Sequence, residues 1–179
     1  KSVTFKISIV WSSMVSTSAA PSADSPSRYA GLFPGQGSQA IGMGHEFFNS
    51  NDAARELFEA ADRALGFSLS AICFNGPLER LTLTEHAQPA ILTASTIAYR
   101  LADFPLVAAA GHSLGEYSAL VAAGALTFDD AVVLVHKRGR YMQEAVPSGA
   151  GKMVAVLGPA DGDVRKAADE ITNGIAEIA

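Results

Sequence analysis

A serine framed by glycines, Gly111-His112-Ser113-Leu114-Gly115, carries the most chemical information in this 179-residue chain. Such a serine attacks carbonyl carbons when it sits at a sharp strand-to-helix turn, because glycines tolerate the strained backbone that lifts the hydroxyl clear. The context fits: Leu106-Val107-Ala108-Ala109-Ala110 reads as a buried strand, and Leu114 to Ala123 as a helix closed by Gly124. Ser113 then projects at the head of a helix, where N–H groups favour developing negative charge. An ordinary Gly-flanked turn is the alternative that the five residues alone leave open.

A second loop, Gly31-Leu32-Phe33-Pro34-Gly35-Gln36-Gly37-Ser38-Gln39, joins a short strand to a glycine-rich turn. Pro34 has no N–H to donate, and the glycines let main chain approach another group closely. The loop is able to offer the Gln36 backbone N–H to an acyl oxygen, opposite the N–H of Leu114. Two converging donors make an oxyanion hole, and loss of one typically costs about 10²–10³ in turnover. A tight strand-to-helix turn without chemistry has the same spacing.

Four segments occur in order: Phe33-Pro34-Gly35-Gln36-Gly37-Ser38-Gln39, Gln88-Pro89-Ala90, Gly111 to Leu120, and Arg138-Gly139-Arg140-Tyr141-Met142-Gln143. Together they resemble the malonyl-CoA:acyl carrier protein transacylase family of fatty acid synthesis, from about Ala30 to the end of the chain. The resemblance implies a ping-pong transfer. The serine takes malonyl from coenzyme A as an ester and passes it to the phosphopantetheine thiol of acyl carrier protein. It implies Ser113 as nucleophile, Gln36 and Leu114 as oxyanion donors, Gln88 as a pocket glutamine and Arg138 as the partner of the malonyl carboxylate. Malonyl-CoA and acyl carrier protein are then substrate and partner, and no cofactor or metal is expected.

Arg138 has a physical reading beside the resemblance. Its helix is expected to start at a Thr127 N-cap, with Asp130 three residues later as a capping acid. Arg138 follows the apolar Val132–Val135 stretch and precedes Tyr141-Met142, so its head is able to turn into a cleft. A guanidinium binds a carboxylate through two parallel N–H bonds, a fork that lysine lacks. A solvated helix arginine is the plain alternative.

The serine needs a base, usually histidine. His112 adjoins it but does not easily fold back, His136 reads as structural or solvated, and His45 and His86 show no acidic partner in the sequence. The family resemblance places the catalytic histidine well downstream, in a segment that nothing here matches. Lys152 to Leu157 reads as a strand, Asp163 to Ile171 as a helix, and Ile175 to Ile178 as the beginning of a further strand. The expectation is therefore a longer enzyme cut short. It divides into a leader over 1–28, the first part of a large α/β hydrolase-like subdomain over 29–147, and the start of a small ferredoxin-like subdomain over 148–179. A serine esterase of α/β type and a truncated, inactive fragment are the competing readings.

Composition sets outer bounds. The chain is long and apolar enough for one sizeable core, and a net charge of −5 argues against nucleic-acid binding. Lys137, Arg138 and Arg140 form the densest basic cluster, either a docking patch for an acidic carrier protein or a solvated helix face. One cysteine, Cys73, excludes an internal disulfide framework and fits a reducing, cytoplasmic compartment. No metal-ligand spacing, phosphate loop or membrane-length apolar run is present. Residues 1–28 are rich in Ser, Ala and Pro and poor in acids, as in a disordered or non-native leader or a transit peptide, with Met14 as a candidate start.

The elements between the motifs must position them. A helix is expected over Asp52–Leu65, capped by Asn51 and Gly66, with Ala54, Phe58, Ala61 and Leu65 facing inward. Another is expected from Pro89, in its first turn, to about Ala102. Helices on either side of the Leu106–Ala110 strand imply an α/β fold with a parallel sheet covered on both faces.

Overall fold

The computed structural model describes residues 29–102, 105–145, 161–172 and 176. The chain divides into two compact units, Lys1–Ala145 and Val146–Ala179. The first contains strand β1 (Tyr29–Phe33) and helices α1 (His45–Ser50), α2 (Asp52–Leu65), α3 (Leu69–Asn75), α4 (Leu78–Thr82) and α5 (Thr84–Ala102). Strand β2 (Leu106–Gly111), helix α6 (Gly115–Ala122) and helix α7 (Phe128–Ala145) complete it. In the second unit the described residues form helix α8 (Asp161–Asp169), which starts two residues before the expected Asp163. The expected leader over 1–28 and strand over 152–157, and most of the expected strand over 175–178, lie outside the described residues, so of the expected ferredoxin-like subdomain the described residues give only α8 as an element.

Local chemistry explains the helix boundaries. The Asn51 side chain accepts the Ala54 N–H at 3.2 Å, and Gly66 closes α2 in the left-handed region at φ 74°. Ser68 caps α3 by accepting the Ala71 N–H, while Asp62 of α2 accepts the Ser70 N–H at 2.9 Å and ties the two helices together. Thr127 caps α7 as expected. Its hydroxyl accepts the Asp130 N–H at 3.2 Å and donates to the Asp130 carboxylate at 2.6 Å. The core lies among these helices, with Phe58, Leu69, Ile91, Leu92, Val132 and Val135 fully buried.

Helix α5 corrects one expectation. It begins at Thr84, five residues ahead of Pro89, and Pro89 stands inside it. A proline there leaves the carbonyl four residues earlier, that of Glu85, without its helical donor. The ring Nδ1 of His136, on α7, lies 2.9 Å from that oxygen and supplies the missing hydrogen bond.

The sheet corrects another. Strands β1 and β2 pair in parallel, with Ala30 opposite Ala108, Leu32 opposite Ala110 and Phe33 opposite Gly111. Helix α6 packs against both strands, and Tyr99 of α5 meets Phe33 edge-on at 6.2 Å between ring centroids. The face of Ala30, Leu32, Ala108 and Ala110 is exposed, and Val107, beside the register shift, is 58% exposed. The Leu106–Ala110 run is thus half-buried rather than buried, because the helices of the described residues cover one face of the sheet.

Candidate active site

The turn at Ser113 is dictated by main chain packed on main chain. Ser113 has φ 53°, the one positive φ of a non-glycine residue among the described residues. For a residue with a Cβ that is a strained conformation, held only where its surroundings over-determine it. They do so here. A Cβ on Gly111 would overlap the carbonyl group of Gly115, and one on Gly115 would overlap the carbonyl oxygen of Phe33. The Gly115 N–H donates to the His112 oxygen at 2.9 Å, and the Glu116 N–H to the Ser113 oxygen at 3.2 Å. The strand thus turns straight into α6. Its far end closes with Gly124 at φ 70° and the Ala125 N–H on the Leu120 oxygen at 2.9 Å.

The glycine-rich loop lies directly against this turn. The His112 N–H donates to the Phe33 oxygen at 3.2 Å, and a Cβ on Gly35 would stand 2.7 Å from both the oxygen and Nδ1 of His112. The loop is braced by Ser38 Oγ donating to the Gly35 oxygen at 2.9 Å and by the Gly37 N–H on Gln39 Oε1 at 2.8 Å. The Gln36 side chain is exposed and reaches Thr84 Oγ1 at the start of α5, at 3.3 Å. The backbone N–H groups of Gln36 and Leu114 have no protein acceptor among the described residues, and the Leu114 side chain is fully buried below the turn.

Three of the sequence-predicted residues meet in one place. Arg138 Nη1 donates to Gln88 Oε1 at 2.8 Å and Nη2 to Ser113 Oγ at 3.2 Å. Gln88 is fully buried, and its amide nitrogen contacts Met142 Sδ at 3.3 Å, which fixes the oxygen toward the arginine. The Arg138 guanidinium also lies 5.7 Å from the centroid of the Tyr117 ring. Among the described residues Arg138 forms no ion pair, so a positive charge stands uncompensated beside the serine. Beyond Arg138, Leu134, Lys137, Tyr141, Met142 and Ala145 of α7 line a shallow, open surface.

Sequence reasoning passed over Tyr117, Thr84 and Met142. Tyr117 stands one helical turn beyond Ser113 and was visible only as part of a motif; nothing local in the sequence marks Thr84. Of the basic cluster, Arg140 pairs with Glu144 at 3.4 Å while Lys137 is exposed. Three of the four histidines are occupied elsewhere, and the exposed His112 makes no side-chain bond to the serine among the described residues. His45 stacks on Phe74 at 4.6 Å, and His86 Nδ1 lies 2.9 Å from the Arg80 oxygen. His136 bonds Glu85, as described, so the structural reading of that histidine holds. None of the four hydrogen-bonds Ser113 among the described residues. Cys73 is no competing nucleophile: burial, aided by the Asp62 charge, pushes its thiol up to about 12. The described residues contain no cluster of metal-ligating side chains and no helix long and apolar enough to cross a membrane.

Residues 32–177 match the model of the acyl transferase domain. The malonyl CoA-acyl carrier protein transacylase of Bacillus subtilis is 51% identical over 149 residues, which cover 82% of this chain and 47% of that protein. The solved malonyl CoA-acyl carrier protein transacylase of Coxiella burnetii superposes with a TM-score of 0.76 at 46% identity, covering 80% of this chain and 47% of that one. A malonyl-transacylase solved in complex with a type II polyketide synthase acyl-carrier protein gives a TM-score of 0.76 at 40% identity, over 82% of this chain and 49% of that one. The chain spans about half the length of the curated relatives it matches.

Proposed function

Because the chain belongs to the acyl transferase domain family, we propose that it is the acyl-bearing part of an enzyme that moves a malonyl group from malonyl-CoA to the phosphopantetheine thiol of an acyl carrier protein. The observation that carries this reading is the uncompensated Arg138 guanidinium bonded to Ser113 Oγ. A hydrolase of neutral esters has no use for a cation there. An acyl group that ends in a carboxylate does, since the fork of Nη1 and Nη2 is able to exchange its present acceptors for two carboxylate oxygens.

In the first half-reaction Ser113 Oγ attacks the thioester carbonyl carbon, and the oxygen that gains charge takes the Gln36 and Leu114 N–H groups. Collapse breaks the C–S bond and leaves a malonyl ester on Ser113. The serine proton passes through a base to the departing sulfur, giving free coenzyme A thiol. Among the described residues none of the four histidines is bonded to the serine, and the family resemblance assigns the base to a histidine well downstream of it. The second half-reaction runs the same steps in reverse with the carrier thiol as nucleophile. Exposed Lys137 is the proposed contact for the acidic carrier. The chemistry calls for no metal or cofactor, and the buried free thiol of Cys73 suits a cytoplasmic setting.

The test is the intact mass of the chain after brief exposure to malonyl-CoA or acetyl-CoA, beside Ser113→Ala. The expected result is a malonyl adduct on the parent, far less acetyl adduct and none on the variant, with the malonyl group removed by added phosphopantetheinylated carrier. Equal labelling by both esters, followed by loss to water rather than to carrier, indicates an esterase. No adduct on soluble, folded chain overturns the assignment for this chain.

A further inference from the structure

We infer that His136 is a positioning residue for the Arg138 carboxylate clamp, acting through the carbonyl that Pro89 frees in α5. The inference rests on the functional reading above and adds a residue to it. Three contacts between α5 and α7 fall within about one helical turn of each other. His136 Nδ1 meets the Glu85 oxygen at 2.9 Å. Gly139 lies so close that a Cβ would stand 2.6 Å from Glu85 Cα and 2.6 Å from the Thr84 oxygen. Arg138 Nη1 meets Gln88 Oε1 at 2.8 Å.

The middle contact is non-directional: two backbones touch, and sliding or rotation is resisted only by shape. Each flanking contact is directional, but the Arg138 bond is the one that a substrate carboxylate must be able to rearrange. The Gln88–Met142 contact shares the glutamine that the clamp uses, so the His136 bond is the directional contact independent of the clamp. It is well suited to setting register. A carbonyl only accepts, so Nδ1 carries the proton, and the acceptor has no helical donor of its own to compete for it. The half-buried ring packs on Phe67 at 5.4 Å between centroids, and His86 meets the same phenyl group at 5.4 Å. Two residues along α7 from this fixed point, Arg138 is aimed at Gln88 and Ser113.

The test compares His136→Phe, which keeps a ring but removes the donor, with His136→Asn, whose amide nitrogen falls near the position of Nδ1. Both are read by the concentration of malonyl-CoA, and of acetyl-CoA, that half-saturates formation of the Ser113 adduct. Because one directional bond is removed, His136→Phe is expected to raise the malonyl-CoA value about three- to tenfold, with the acetyl-CoA value and both maximal rates held, and His136→Asn to restore it. An equal change for both esters marks a merely structural residue and overturns the inference, as does a wild-type value in His136→Phe or failure of His136→Asn to rescue. A second readout is independent of chemistry: the slow rotation of the Arg138 guanidinium, followed by ¹⁵N NMR of the full chain. It is expected to quicken in His136→Phe and recover in His136→Asn. If the parent forms no malonyl adduct, the functional reading fails, and the NMR comparison still decides the role of His136.

Discussion

Ser113 is placed by main chain against main chain, whereas Arg138 is placed by side chains that reach between helices. Around Ser113 the strand, the loop and α6 come so close that a single Cβ on Gly111, Gly115 or Gly35 has no room. The serine itself is left at φ 53°. Around Arg138 the partners are Gln88, the Tyr117 ring and the serine hydroxyl, at ordinary hydrogen-bond and ring distances. The reacting atom is fixed by strain and crowding that cannot relax, and the group that selects the substrate is fixed by bonds that can be exchanged. A rigid nucleophile beside an adaptable clamp suits an enzyme that must hold one carboxylate and then release it.

The contrast is broken most severely at the turn. Gly115→Ala drives a Cβ into the Phe33 oxygen, and the expected loss is more than about 4 kcal/mol of stability, read by urea unfolding, with no adduct at Ser113. If this variant folds with parent stability, the crowding does not hold the turn. Arg138→Lys keeps the charge and loses the fork. The expected result is about 10²-fold less malonyl labelling per unit concentration, roughly 3 kcal/mol, at unchanged stability. Near-parent labelling would show that charge alone suffices on the clamp side.

Gly139→Ala tests whether the clamp side also relies on close backbone. The added Cβ meets Glu85 and Thr84, and the better helix propensity of alanine offsets only part of the cost, so a net loss of about 1–2 kcal/mol is expected in thermal unfolding. The smallest effect has the opposite sign. Ser113→Gly relieves the positive φ and is expected to stabilise the fold by about 1 kcal/mol while removing the nucleophile. A destabilised Ser113→Gly would mean that the hydroxyl's bond to Arg138 outweighs the strain.

The same contrast governs how much was legible in the sequence. The turn could be read because its constraint is written locally: residues without Cβ at fixed spacing, between an apolar run and a helix. Caps were legible for the same reason, as Asn51, Gly66 and Thr127 show. The clamp had no such signature. Gln88 and Arg138 lie fifty residues apart in sequence, and only the resemblance to a family paired them. Pro89 misled about the start of α5 because a proline inside a helix is normally costly. What makes it tolerable is a ring from α7, which no local pattern announces. The sheet misled because an apolar strand says how much surface wants cover, and not which face receives it.

The pairing of β1 with β2 has a consequence in time as well as in space. Every helix from α1 to α5 lies between the two strands in the chain. Helices α1 to α5 pack on one another, whereas the sheet, and the packing of α7 on α2 and α5, must each close a long loop before they gain anything. The helices between the two strands are therefore the part expected to assemble early, and the sheet and α7 the parts that wait. Ser113 and Arg138 both hang from late-joining elements and Gln88 from an early one, so the closing of the long loops is also the event that brings nucleophile and clamp together.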